Sequence, residues 1–205
     1  MKRIVCDVDG VLADWNTAFR QLLIDAGAEL QPFANGSLHP HVWDWPTQLG
    51  ATEAQIGQAK AQQVEAWWMH LEPVEDFTMA CSALLGHLCR TQEVTFVTSR
   101  STPGVRNATE WWLRRYVGKR HVHVVVVPSG DKTGVLQGIQ PDVVIEDHLP
   151  TLINWAYEQS TARGCVLVER PYNQPHSCSA IGRDVPITRV PSTLAALRLA
   201  ETECQ

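Results

Sequence analysis

The sequence predicts an α/β fold: a parallel sheet with helices on both faces, and a small, mainly helical cap inserted after the first strand. Three observations lead there. Short β-branched runs alternate with helical patterns from Val94 onward, the grammar of a parallel sheet covered on both sides. The first such run, Arg3–Val8, is separated from the next by residues 9–93, far more chain than one crossover helix needs. Four successive strand ends carry polar groups, and the carboxyl ends of strands are where open parallel sheets bind ligands.

Each element follows from the chain. Arg3–Val8 reads as a buried strand running into Gly10, which permits a tight turn before a helical pattern starting near Leu12. Residues 15–73 form the expected cap, with the Pro32–Pro46 region and a helical stretch over Thr52–Trp68; residues 1–14 and 74–205 form the core. Leu84–Cys89 belongs to the core helix that feeds the second strand, Val94–Thr98. Then come a helix through Glu110–Tyr116, strand His121–Val127, a short helix over Lys132–Leu136, strand Val143–Glu146, a helix through Leu152–Gln159 and strand Cys165–Val168. Pro191, Ser192 and Thr193 punctuate the start of a last helix, Leu194–Glu201. The core is therefore Rossmann-like, without internal repeats.

Composition narrows the function. The 205 residues, 44% hydrophobic and 19% charged, suffice for one core carrying an inserted subdomain. A net charge of -5 shows no basic excess, which disfavours a protein that binds nucleic-acid backbones. No apolar run reaches the roughly 18–20 residues that span a bilayer. Asp7 and Asp9 interrupt the apolar start where a secretory segment is continuous, so no export is expected. Cys6, Cys81, Cys89, Cys165, Cys178 and Cys204 form no CxxC pair; buried thiols in a reducing cytoplasm fit them best. A homodimer is left open.

The first strand delivers Asp7-Val8-Asp9-Gly10. Strand side chains alternate, so the two carboxylates could share an orientation if the strand continued, and their repulsion would call for a cation. A hard divalent ion is the simplest partner. Alone, the two residues read equally well as turn formers before Gly10. The other strand ends tip the balance: Thr98-Ser99-Arg100, then Asp131-Lys132-Thr133, then Glu146-Asp147. These types jointly handle a phosphate. Lys132 alone would pass for an exposed turn residue, Thr98 and Ser99 for helix caps, and Arg100 for a solvated charge.

With these residues in place, the sequence resembles the haloacid dehalogenase-type phosphohydrolase superfamily, whose four motifs match DVDGV, the Thr98-Ser99 strand end, Lys132 and Glu146-Asp147 in that order. More narrowly it is similar to the 5'(3')-deoxyribonucleotidase family, through Asp7–Trp15, Leu71-Glu72-Pro73 after Trp67 and Trp68, Asp131-Lys132-Thr133 followed by Val135-Leu136, and Pro171-Tyr172-Asn173. It departs from those patterns in having Glu146 where Asp is commonest and Arg100 where mammalian members carry proline. The resemblance implies a haloacid dehalogenase-like (HAD-like) fold and an Mg²⁺-dependent phosphatase. Asp7 would be the nucleophile that forms an aspartyl-phosphate, and Asp9 the acid and base. Asp7, the Asp9 carbonyl and Asp147 would ligate Mg²⁺, and Glu146 would stand behind them. Thr98, Ser99 and Lys132 would bind phosphate, with Arg100 a further candidate. The expected substrate is a (deoxy)ribonucleoside monophosphate. The alternatives are a sugar phosphate or other small metabolite, or a silent nucleotide-binding module. A polynucleotide 3'-phosphatase is disfavoured by the charge.

Eight tryptophans are many for this length, and aromatic faces stack on nucleobases. Trp15 is the first candidate for the substrate pocket, on the family resemblance, with Trp43, Trp45, Trp67 and Trp68 behind it; each of those four also reads as core packing. Trp111, Trp112 and Trp155 are expected to be packing residues. The pairs His39/His41 and His121/His123 lack a third ligand, and Arg114, Arg115, Lys119 and Arg120 read as a solvated helix end.

Overall fold

The computed structural model describes residues 1–33, 40–118, 121–127, 131–158, 164–173 and 187–204. Among them, β1 (Arg3–Cys6), β2 (Glu93–Thr98), β3 (His123–Val126), β4 (Val143–Glu146), β5 (Cys165–Val168) and β6 (Ile187–Val190) form one sheet in the order β3-β2-β1-β4-β5-β6. Every pair is parallel. The order reverses between β1 and β4, and the crevice beyond their carboxyl ends is where such a sheet takes its ligand.

Side-chain alternation divides the core in two. Ile4, Cys6, Phe96 and Ile145 meet Leu85 of α5 (Met79–Thr91), Trp112 of α6 (Val105–Val117) and Leu197 of α9 (Thr193–Glu203). Val5, Val97 and Val144 meet Leu136 of α7 (Thr133–Ile139) and Leu152 and Trp155 of α8 (Leu149–Glu158). Between β1 and α5 lie α1 (Trp15–Asp25), α2 (Trp45–Gln48), α3 (Glu53–Ala61) and α4 (Glu65–Met69). This insertion has an apolar centre of its own, built on Phe19, Leu22, Leu23, Trp45 and Ala59.

Several elements differ from the sequence reading. β1 ends at Cys6 rather than Val8, and the chain then winds on itself: Leu12 and Ala13 both donate their N–H to the Val8 carbonyl (2.8 Å each), with Gly10 at φ +82°. Helix α1 begins only at Trp15, where Asp14 caps it by accepting from Thr17 N (3.0 Å). The single helix expected over Thr52–Trp68 is two, α3 and α4, because Ala59 belongs to the insertion's centre and Trp68 to the main core. The edge strand β6 went unpredicted, since Thr188 and Arg189 hide its apolar ends. Trp111 is 41% exposed rather than packed, whereas Trp155 is buried and Trp112, also buried, donates to Leu71 O (2.7 Å).

Cys6, Cys81 and Cys165 are buried thiols, and His121 and His123 lie exposed. His39, Lys119, Arg120, Gln159 and Cys178 fall outside the described residues. No helix among the described residues is long and apolar enough to cross a membrane.

One buried cation ties the turn after β1 to the rest. Arg170, just past β5, donates from Nε to Gly10 O (2.8 Å) and from its two terminal nitrogens to Asp76 (3.3 and 3.1 Å). Thr193, at the start of α9, donates its N–H to Asp76 (2.8 Å) and its hydroxyl to Val11 O (2.7 Å). Arg170→Met would leave the Asp76 carboxylate and the Gly10 carbonyl without these donors. It is expected to lower stability by on the order of 2–4 kcal/mol, measurable by urea denaturation.

Candidate active site

Because β1 is central and ends at Cys6, Asp7 emerges at the crevice between β1 and β4, its N–H still bonded to Ile145 O (2.9 Å). The Asp7 carboxylate accepts from Val8 N (2.7 Å) and from the Lys132 ammonium (2.8 Å). Lys132, at the entry to α7 and only 6% exposed, also donates to Glu146 Oε2 (2.7 Å). Glu146 closes β4, and its other oxygen accepts from the N–H groups of Asp147 (3.2 Å) and His148 (3.1 Å). Glu146 thus has both oxygens engaged.

Asp147 is held differently. Tyr172 donates its hydroxyl to Oδ2, and Asn173 Nδ2 donates to the Asp147 carbonyl (2.7 Å) and to Val168 O (2.9 Å). Oδ1 is buried and has no hydrogen-bond partner among the described residues. Gly10 is obligatory beside it: a Cβ there would overlap the Asp147 carboxylate, and the φ of +82° is one that other residues rarely adopt.

Burial raises the Asp7 carboxyl well above its usual range, and Glu146 adds to the rise. Burial, helped by Asp7, pushes Asp147 up to about 6. Burial also raises Glu146. It opposes the charge on Lys132, but Asp7 and Glu146 outweigh it and hold the ammonium protonated. Burial and Lys132 push His148 down to about 4, so its ring is neutral near pH 7. The centre therefore sets three acidic groups against one ammonium.

Ligand oxygens of Asp7, Glu146 and Asp147 all lie within 4.8 Å of one another. An all-oxygen donor set with excess negative charge suits a hard divalent cation. The orphaned Asp147 Oδ1 fits that ion, since an unpartnered buried carboxylate oxygen is costly without one.

A second cluster adjoins the first. Thr98 Oγ1 donates to Asp9 Oδ2 (3.1 Å). Arg100 donates from Nε to the same oxygen (2.8 Å) and from Nη2 to Oδ1 (2.6 Å). Thr98 and Arg100, expected at a phosphate, are both turned to Asp9. Thr98 is fully buried at the last position of β2, and the Arg100 guanidinium forms its ion pair with Asp9. Ser99, by contrast, is exposed on the cleft wall.

The cleft measures about 590 Å³ and is bounded by Asp7, Asp9, Lys132 and Asp147 together with Trp15, Trp43, Trp45 and Trp68, a size ordinary for small-molecule sites. The tryptophans differ in availability. Trp43 is 58% exposed, tilted against His148 (4.4 Å) and edge-on to Tyr172 (5.4 Å). Trp15 has one face stacked on Phe19 (4.5 Å). Trp45 is buried and donates to Asn16 Oδ1 (2.9 Å). Trp68 is buried with its ring against Arg100, and Trp67 lies in packing off the cleft. Trp45 and Trp68 thus border the cleft as buried rings, and Trp67, half-buried, packs against the main core without lining it.

The sequence reading assigned no role to Tyr172, Asn173 or His148. A signal was present: Tyr172 and Asn173 follow the fifth strand end, which the argument from four strand ends stopped short of.

No family model and no curated protein matches the chain. Solved structures do. A protein described as a haloacid dehalogenase-like hydrolase from Burkholderia xenovorans is 13% identical, with 99% of this chain and 98% of that one covered at a TM-score of 0.61. A protein described as a β-phosphoglucomutase from Thermotoga maritima is 16% identical over 98% and 99% of the two chains, TM-score 0.56. CbbY from Rhodobacter sphaeroides, in complex with phosphate, is 13% identical over 97% and 99%, TM-score 0.54. The fold is thus the HAD-like α/β fold.

Lys132→Met would strand Asp7 and Glu146 without their shared counter-ion. Stability at pH 7.5 is expected to fall by about 3–5 kcal/mol. The loss should be smaller at pH 5, where carboxyls already raised by burial take up protons. Denaturant titrations at the two pH values check this.

Proposed function

We propose that this chain is an Mg²⁺-dependent phosphomonoester hydrolase acting through an aspartyl-phosphate on Asp7, and that its substrates are (deoxy)ribonucleoside monophosphates. The observation that carries the chemistry is the buried Asp7–Lys132 pair beside the unpartnered Asp147 oxygen, at the carboxyl end of the central strand.

An Asp7 oxygen attacks phosphorus, and the bond to the leaving oxygen breaks with its electron pair. Asp9 gives that oxygen a proton, then takes one from the water that cleaves the aspartyl-phosphate and regenerates Asp7. Lys132 holds the Asp7 carboxylate in place and offsets charge on the phosphoryl oxygens, with Ser99 at hand as a further donor. Asp7, Asp147 and the Asp9 carbonyl are the residues that would hold Mg²⁺; the ion supplies charge neutralisation between a carboxylate and a phosphate dianion. Glu146, with both oxygens engaged, fixes Lys132 and the entry to α8. Residues 15–73 act as a cap that excludes water and large substrates.

The substrate class rests on Trp43 and Trp15, aromatic surface facing the same cleft as Asp7. A sugar phosphate is the second reading, favoured by neighbours of the same fold: a protein described as a β-phosphoglucomutase, and a CbbY variant bound to xylulose 1,5-bisphosphate, 15% identical at a TM-score of 0.54.

Phosphate release from a panel of nucleoside monophosphates and sugar phosphates is expected to require Mg²⁺, to stop with EDTA and to vanish in Asp7→Asn. In the same panel Trp43→Ala should raise KM for nucleotides by roughly 5- to 150-fold, the loss of one stacking contact of about 1–3 kcal/mol, and leave sugar phosphates unaffected. The opposite ranking selects the second reading. Asp147→Asn should abolish the rise in Tm that Mg²⁺ gives the wild-type protein.

A further inference from the structure

Arg100 lies two residues past the end of β2. Its side chain is 1% exposed, and three neighbours fix its guanidinium. Asp9 takes the Nε/Nη2 edge on both oxygens (2.8 and 2.6 Å). Thr109 of α6 accepts from Nη1 (2.6 Å) while donating to Val105 O (2.7 Å), so the anchor is itself tied to the helix backbone. The Trp68 ring of α4 lies 4.4 Å from the guanidinium carbon, within cation–π range.

We propose that Arg100 is the positioning residue that orients Asp9 for proton transfer, and that it leaves Asp9 Oδ1 as the oxygen that carries the proton. The assignment rests on the phosphoryl-transfer reading above and follows from counting lone pairs. An ionised carboxylate offers about four acceptor sites. Thr98 and Arg100 Nε fill both sites of Oδ2, and Arg100 Nη2 fills one of Oδ1, so among the described residues one site on Oδ1 stays open. In the acid form that site holds the proton, which passes to the leaving alkoxide oxygen as its bond to phosphorus breaks, giving the alcohol and the carboxylate; the same site then accepts a proton from the attacking water. A lysine cannot reproduce the hold, because a point charge has no planar fork to grip both oxygens.

The test varies the leaving group. An alkoxide needs a proton as it departs, whereas p-nitrophenolate is stable as an anion and does not. Arg100→Met and Arg100→Lys should lower kcat/KM for the best alkyl phosphomonoester of the panel by about 100-fold or more, the usual scale of general acid catalysis. For p-nitrophenyl phosphate, kcat/KM should fall less than about tenfold, and a burst of p-nitrophenolate should appear, because the water step still lacks an oriented base. Thr109→Val, which removes only the anchor, should move the same ratio in the same direction by a smaller factor and serves if the Arg100 variants fail to fold. An equal loss on both substrates carried by KM would make Arg100 a phosphate ligand and overturn the proposal, as would an unchanged leaving-group ratio in folded variants. Wild-type protein and Asp7→Asn run in parallel: no Mg²⁺-dependent turnover of p-nitrophenyl phosphate by the former, or retained turnover by the latter, overturns the phosphatase reading and this proposal with it.

Discussion

Lys132 is the one group that makes the centre of this molecule possible. Asp7 and Glu146 sit at the ends of neighbouring parallel strands, both buried, and their charges would repel across a medium that screens poorly. The ammonium reaches both at 2.7–2.8 Å, so one cation joins the strand that carries the nucleophile candidate to the strand beside it. Hydrophobic isosteres can often replace a buried ion pair without loss, which makes stability a poor reason for its presence. The arrangement is better understood as orientation: Lys132 fixes where the Asp7 carboxylate faces, and it leaves the centre short of positive charge, a deficit that a cation at Asp147 Oδ1 would meet.

The turn after β1 extends the same logic outward. Residues 8–13 are wound tightly on the Val8 carbonyl and then pinned by Arg170 and Thr193 through the Gly10 and Val11 carbonyls. Elements far apart in the chain, the ends of β5 and β6 and the entry to α5, thus converge on the few residues between Asp7 and the insertion. Gly10 permits this close approach because a side chain there would occupy the Asp147 site. Under the proposed reading this rigidity serves chemistry, since misplacing a reacting group by an ångström can cost far more than a lost hydrogen bond.

The fold was legible because alternation and strand-end chemistry are local. β-branched runs separated by helical patterns specify a parallel sheet whatever their partners, and Asp7, Lys132, Glu146 and Asp147 are exposed as candidates by their position in that pattern. What stayed hidden depends on who meets whom. Arg100 suits a phosphate or a carboxylate equally well by type, and only its approach to Asp9 separates the two. Trp68 has the composition of a stacking surface but spends its face on Arg100, while Trp45 turns inward to Asn16. Tyr172 stands in Pro171-Tyr172-Asn173 just past the fifth strand, yet nothing local says that its hydroxyl reaches a carboxylate 25 residues earlier in the chain. The break between α3 and α4 was invisible for a related reason: it answers to two apolar clusters, not to the propensity of residues 62–64.

The position of Trp68 also changes how the insertion relates to the core. Its ring lies against Arg100, and its indole N–H donates to Gln63 O (2.9 Å) and to Thr102 Oγ1 (3.3 Å), so α4, the segment before it and the loop after β2 share one contact region. Arg100 in turn grips Asp9. Cation–π contacts are worth only about 0.5–2 kcal/mol, so Trp68 cannot command the guanidinium. It instead covers a face of the guanidinium and helps keep the Arg100 side chain buried, while Asp9 stays partly open to the cleft. Burial of the Arg100 side of the pair strengthens its electrostatic hold on Asp9 relative to a fully solvated pair. Under the proposed phosphatase reading, acid–base chemistry and the inserted helices meet at Arg100, while Trp43 and Trp15, whose faces the cleft leaves open, are the tryptophans available to a substrate.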